Sequence, residues 1–150
     1  MALDNVHLFD KSVQTANVWI KELAEDLGWS DEHKVYLALK GTLHALRDRL
    51  PPEAAVHLGA QLPLIISGVY YDSWKPSRSP LKYKHKEDFI EHMRQPFRPQ
   101  AQVDDFDRVA QAVFRLLAHK VTEGEIRNIM DDLPKELSAW WAEATGLVHH

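Results

Sequence analysis

The chain has 150 residues, of which 45% are hydrophobic and 27% charged, and its formal net charge is −4. These values fit one globular domain of ordinary make-up and exclude a disordered chain, while so mild a charge names no partner by itself. There is no cysteine, which excludes a disulfide scaffold, a thiolate nucleophile and a Cys-ligated zinc or iron–sulfur site.

The opening residues, Met1-Ala-Leu-Asp-Asn-Val-His7, lack a basic start followed by an apolar stretch. No signal peptide is therefore expected there, and the expected compartment is the cytoplasm. Phe9, Val13, Ala16, Ile20, Leu23 and Leu27 follow one another at alternating steps of four and three residues. That spacing draws one stripe down a helix and predicts a core-facing first helix, stopped by Gly28. Ser30 is the expected N-cap of a second helix, with Asp31 and Glu32 in a first turn that favours negative charge. This helix runs to about Leu50 with Leu39, Leu43, Leu46 and Leu50 on one face. Pro51-Pro52 ends it and suits the first turn of a short helix from Glu53 to Gln61. Pro63 interrupts again, and Leu64 to Tyr71 reads as a fourth helix. Its Ile-Ile-Ser-Gly-Val centre has strand character but no partner strand. The apolar run from Leu62 to Tyr71 is roughly ten residues, against the ~20 that span a bilayer, so no membrane segment is expected.

Residues 72–87 change character, with two prolines and three serines marking a connector. Leu81 to Lys86 alternates and allows a short extended piece. A helix from about Lys86 to Arg94 follows, and Pro96 and Pro99 break it. Phe106 to Lys120 is helical, with Ala110, Phe114, Leu117 and Val121 on one face. Thr122 and Glu125 form a capping-box signature. Ile126, Ile129 and Leu133 give a further short stripe. After Leu133-Pro134 a last helix ends near Trp140-Trp141. Adjacent tryptophans diverge on a helix, so one is expected to plug the core while the other marks a contact surface, unless both lie half-buried at a junction.

The chain repeats itself. Sliding it by 71 residues sets Leu62-Pro63 on Leu133-Pro134 and carries Leu39, Leu43, Leu46 and Leu50 onto Ala110, Phe114, Leu117 and Val121. Ala55, Leu58, Ile66 and Val69 fall on Ile126, Ile129, Leu137 and Trp140, and the breaker Pro51-Pro52 falls on Thr122-Glu123. With an offset one residue shorter, Trp19-Ile20 and Leu23 meet Phe89-Ile90 and Met93. The expected architecture is a single all-α domain, a bundle of seven or eight helices in two pseudo-repeats, about 8–71 and 87–143, joined by a basic connector at about 72–86. Each half would cover the apolar face of the other.

Several stretches carry a resemblance to a known family: Leu46-Arg-Asp-Arg-Leu-Pro51, Ala54-Ala-Val-His-Leu-Gly-Ala-Gln-Leu-Pro63, Tyr70-Tyr-Asp-Ser-Trp-Lys-Pro76, Glu123-Gly-Glu-Ile126 and Asp132-Leu-Pro134. On these the chain resembles, over roughly residues 8–141, the uncharacterised bacterial family catalogued as domain of unknown function 2267. The resemblance implies a helical, soluble bacterial protein and no activity, so it transfers no catalytic residue.

Nine histidines invite a metal reading. His44 with Asp48, Glu53 with His57, and Asp88 with His92 each share a helix face at i, i+4. No His-Glu-x-x-His or paired Glu-x-x-His is present, and the plain reading of these pairs is a solvated helix surface. His149 and His150 read as a tail. Ser67 lacks the glycine of a nucleophile elbow, and no glycine loop can cradle phosphate. The helical hairpins at about 35–61 and 106–132 carry neutral or acidic second helices, which phosphate would repel, so major-groove reading is not expected.

From Lys75 to Arg98 the balance differs. Lys75, Arg78, Lys82, Lys84, Lys86, Arg94 and Arg98 face three acids, a surplus of four in a chain that totals −4. Tyr71, Trp74 and Tyr83 lie in or beside the segment. Basic side chains interleaved with aromatics suit phosphate, an acidic peptide or nucleic acid. Alternatively Trp74 pins the loop to the core and the lysines dock on the protein's own acids. The expected function is a non-enzymatic binding module that meets an acidic or phosphate-bearing partner at Tyr71, Trp74, Lys82, Tyr83, Lys84, His85 and Lys86. Trp74 and Tyr83 would stack, and Lys82, Lys84 and Lys86 would supply charge. The partner is a protein or an anionic ligand. Homodimerisation stays open, nucleic acid is disfavoured, and no cofactor, metal or catalytic residue is assigned. The competing reading is a metal-dependent or small-molecule enzyme with a site between the halves, using His44, His57 or His119.

Overall fold

A computed structural model of the chain describes residues 2–97 and 103–147, and every regular element in them is helical. Arg98, Pro99, His149 and His150 lie outside the described residues. The helices are α1 (Ala2–Leu27), α2 (Glu32–Arg49), α3 (Pro52–Gly59), α4 (Leu64–Tyr71), α5 (Lys86–Met93), α6 (Phe106–Lys120), α7 (Glu123–Asp132) and α8 (Lys135–Thr145). One 3-10 turn, Pro76–Arg78, lies in the connector. No described helix is long and apolar enough to cross a membrane.

Local chemistry explains most boundaries. Gly28 and Gly146 hold φ of 69° and 74° and close α1 and α8 in the left-handed conformation that glycine adopts without strain. Asp31, not Ser30, caps α2, because its carboxylate accepts from both His33 N and Lys34 N. Asp105 caps α6 through Arg108 N at 3.1 Å. Thr122 caps α7 by accepting from Glu125 N at 3.2 Å. The expected return bond from the Glu125 carboxylate to Thr122 is not made. Gln61 Oε1 takes Thr122 N at 3.2 Å, and Glu125 turns to His57. A tertiary partner has displaced half of the capping box.

Starts at Pro52 and Glu123, starts at Leu64 and Lys135, and ends at Arg49 and Lys120 all lie 71 positions apart. α2 packs on α5 and α6 on α1, α2 on α4 and α6 on α8, while α2 meets α6 and α3 meets α7.

One apolar cluster runs through the molecule. Leu39, Leu43 and Leu46 of α2, the cap residue Leu50, and Val113, Phe114 and Leu117 of α6 are buried in it. Phe114 is the aromatic hub. Trp141 stacks on it at 4.4 Å between centroids, and Phe89 and Trp140 approach edge to face. Both tryptophans are thus buried, where the sequence left open that one is exposed or that both are half-buried. α8 packs on α5, α6 and α7, so diverging directions are both covered, and Trp140 Nε1 donates to Asp107 at 2.8 Å.

The predicted stripe on α1 is core only in part. Leu23 and Leu27 are buried and Ala16 and Ile20 pack partly against the core, but Phe9 is 64% and Val13 48% exposed. At 1.5 Å per residue the 26 residues of α1 span ~39 Å, whereas the 15 of α6 span ~23 Å, and the long helix outruns its support.

Gly41 sits inside α2 where a Cβ would collide with the Met93 carbonyl oxygen at the end of α5. Alanine is the better helix former by ~1 kcal/mol, yet here the close approach decides. Gly41→Ala is expected to lower the unfolding free energy by about 1–3 kcal/mol, read as a fall in urea midpoint at unchanged slope.

Candidate functional site

The site begins with α2. In its last turns His44, Arg47 and Asp48 depart from the leucine face and meet α4, the connector and α5. Arg47 is buried at 3% exposure. A guanidinium can be enclosed only when its donors are met. Its Nε and Nη2 hold the two oxygens of Asp48 at 2.7 and 3.0 Å, and its Nη1 donates to the carbonyls of Tyr70 at 2.8 Å and Asp72 at 2.9 Å. His92 Nε2 donates to Asp48 Oδ2 at 2.7 Å from α5. Burial alone would raise the Asp48 pKa, but the hydrogen bonds from His92 and Arg47 outweigh it and hold the carboxyl below its ordinary value. His44 Nε2 donates to the Val69 carbonyl at 2.7 Å, and burial lowers its pKa, so it is neutral at pH 7.

The connector is laid across this end of α2 and fastened at several points. Leu81 N donates to the Asp48 carbonyl at 2.8 Å, Tyr83 Oη to the Ala45 carbonyl at 2.6 Å, and Arg49 Nε to the Tyr83 carbonyl at 2.7 Å. Trp74 packs on Tyr71 and donates its indole N–H to Ser79 Oγ at 3.1 Å. Ser73 holds a φ of 62°, a left-handed conformation unusual for a residue with a side chain. The Ser79-Pro80 peptide bond is cis.

Under the connector remains a cavity of ≈ 330 Å³, within the usual size of a small-ligand pocket. Its inner wall is His44, Arg47 and Asp48 of α2. The connector contributes Ser73, Lys75, Arg78 and Ser79, and the far side is His92, Gln95 and Pro96 at the end of α5. A second cavity, of ≈ 400 Å³, lies between α3 and α7 around the His57–Glu125 pair, with Glu53, Asp131 and Asp132 beside it. Burial and neighbouring Asp131 raise the Asp132 pKa there.

None of the seven predicted site residues lines the first cavity. Lys82, Lys84 and His85 are exposed, and His85 lies 3.4 Å from Glu136. Lys86 is paired with Asp107 at 2.9 Å, and its amide donates to Glu136. Tyr71 and Trp74 are half-buried against each other, with Tyr71 Oη directed at the Val56 carbonyl. The Tyr83 ring is packed edge-on against Phe89, and burial drives its hydroxyl pKa far upward. The i, i+4 pairs are overridden by partners from other helices: His92 takes Asp48 and His57 takes Glu125. Among the described residues no three His, Asp or Glu stand together as a metal site. His119 lies 3.6 Å from Glu22.

The family model for an uncharacterized conserved protein (DUF2267) matches residues 16–140. No curated protein matches the chain.

Asp48 is held by both Arg47 and His92, so its loss is costly. Asp48→Asn is expected to destabilise the fold by about 3 kcal/mol at pH 7, leaving Arg47 buried without a counter-charge. Because the folded-state pKa of Asp48 is lowered, its contribution is complete above the ordinary aspartate value of ~4 and disappears as pH falls through the lower folded value. Urea titrations from pH 7 to pH 2 should show the gap between wild type and variant closing below about pH 4. A gap that stays constant would contradict the assignment.

Proposed function

Since the chain belongs to the DUF2267 family, whose description carries no activity, we propose from the geometry that it is a non-enzymatic binding module whose basic connector receives an acidic polypeptide. The carrying observation is the state of the connector's cations. Lys75, Arg78, Lys82 and Lys84 form no ion pair among the described residues, whereas Lys86, Arg115, Lys120 and Arg127 are each matched to an acid. Four unmatched charges within ten residues make a patch that attracts and orients negative charge. Tyr83 turns inward, so Lys82 and Lys84 on either side of it turn outward. Trp74 and Tyr83 anchor the strip, and Trp74 keeps part of its ring open to a partner. The connector is therefore held before the partner arrives, which reduces the ordering cost of binding.

We read the two halves as copies of one unit. The common 71-residue spacing of boundaries and the matching helix pairings support this. So does one exchange of polar partners. At the offsets already given, the pair Asp48–His92 corresponds to His119–Glu22, with acid and imidazole traded between helices. The connector has no counterpart in the second half, and Lys75, Arg78, Lys82 and Lys84 lie on it.

A fluorescently labelled polyglutamate peptide tests the proposal by anisotropy. Wild type should bind it at low ionic strength and release it as salt rises to about 0.5 M, where the Debye length falls to a few ångströms. Lys82→Glu with Lys84→Glu should weaken binding by about tenfold or more. Equal affinity of the double variant would sink the proposal.

A further inference from the structure

We infer that the cavity beneath the connector binds a phosphate monoester group. That the phosphate arrives on an acidic polypeptide rests on the reading above; the cavity itself does not.

Charge comes first. Arg47, Lys75 and Arg78 line the cavity, and Asp48 is the one acid in its wall. Both Asp48 oxygens are already held by Arg47, and one also by His92. The acid is spent inside the protein and leaves two positive charges over. A phosphate monoester carries close to two negative charges at neutral pH, and a single carboxylate only one.

Donors come second. Ser79 Oγ accepts the Trp74 indole N–H, so the hydroxyl hydrogen of Ser79 is left to donate elsewhere. Ser73 and Gln95, each with a polar side chain, line the same cavity. Together with Lys75 and Arg78 they supply enough donors for three phosphate oxygens. Arg47 contributes a fixed charge, because its hydrogen bonds allow it no other rotamer. The volume of ≈ 330 Å³ admits a phosphate group and the first atoms of its ester.

The other half of the molecule supplies an internal precedent. On α1, Glu22 and Asp26 send carboxylates to the C-terminal half of α6. Arg115 grips Asp26 with two bonds of 2.9 Å, and Lys120 holds Glu22 at 2.9 Å. The shift of 70 residues puts His92 at the place of Glu22, Gln95 at that of Glu25 and Pro96 at that of Asp26. α5 therefore brings no acid where α1 brings several. One helix pair is closed by carboxylates of the chain itself. Its counterpart keeps a cavity with surplus positive charge, and an external anion completes it.

The test uses the full chain and three probes: a serine-phosphorylated peptide flanked by glutamates, the same peptide without phosphate, and inorganic phosphate. Calorimetry measures affinity, and NMR follows the His92 ring and Gln95 side-chain signals. The phosphopeptide should bind at least about tenfold more tightly than its unphosphorylated form and should shift both signals. Lys75→Ala with Arg78→Ala, both exposed, should weaken both peptides, since these cations also belong to the connector patch, and should bring the phosphorylated and unphosphorylated forms to equal affinity. Gln95→Glu places a carboxylate in the cavity and should lower phosphopeptide affinity about tenfold without loss of stability. If inorganic phosphate shifts the signals and the phosphopeptide gains nothing over it, the phosphate site stands and its attribution to a polypeptide falls. Equal binding of both peptides with neither signal moved by any probe overturns the inference, and polyglutamate binding then still judges the connector separately.

Discussion

A buried guanidinium must find a partner for nearly every hydrogen it carries, and Arg47 sets that condition on this molecule. Meeting it draws together α2, the end of α4 and the start of the connector, with Asp48 as counter-charge. Asp48 in turn holds His92 and so ties α5 to the same point. α2, α4, the connector and α5 are thus brought together by the Arg47–Asp48 pair. Removing Asp48 would leave the nearly buried guanidinium without its counter-charge.

The same contacts solve a problem for α4. An eight-residue helix ends with four carbonyls that no helical N–H can reach. Here each has a donor. Gly68 takes Asp72 N, Val69 takes His44, Tyr70 takes Arg47 and Tyr71 takes Trp74 N. At the other side of the cavity Gly41 lets α5 approach α2 closely, which brings His92 within reach of Asp48. The cavity is therefore bounded by two rigid devices, a capped helix end and a close helix crossing. The connector is stretched between them and pinned by Trp74, Leu81 and Tyr83.

The remainder of the stability rests on an apolar centre around Phe114, which receives rings from α5 and α8. Burial of aromatic groups at this density supplies much of the drive to fold a chain of this size. It leaves the polar cluster at the end of α2 to determine position more than total energy. A polar cluster of this kind can carry a binding role without endangering the fold, since the cations in excess of Arg47 lie on the exposed rim.

Much of the architecture was legible along the chain. The leucine face of α2, the proline and Thr122 breakers and the stripe of α6 are local patterns, because a helix repeats every 3.6 residues and proline lacks an amide hydrogen. They place α6 at Phe106–Lys120 and α5 from Lys86 as expected. The basic, aromatic character of the connector was visible for the same reason, since composition needs no partner. The pairings were not. His44, Asp48 and His92 were visible only as i, i+4 neighbours, and the structure gives His92 to Asp48, His57 to Glu125 and Lys86 to Asp107. Arg47 stood in a stretch that carries the family resemblance, but nothing in its neighbours marked it as buried, since the helix is otherwise rich in charge. Phe9 and Val13 looked like core because periodicity cannot tell how far the supporting helices extend. The sequence by itself determined which segments are helical, where they stop and where positive charge accumulates, since those follow from neighbours a few residues away. Only the tertiary structure decided which charges are paired inside the protein and which stay unpaired, because an ion pair is a contact across space between residues as far apart as Asp48 and His92.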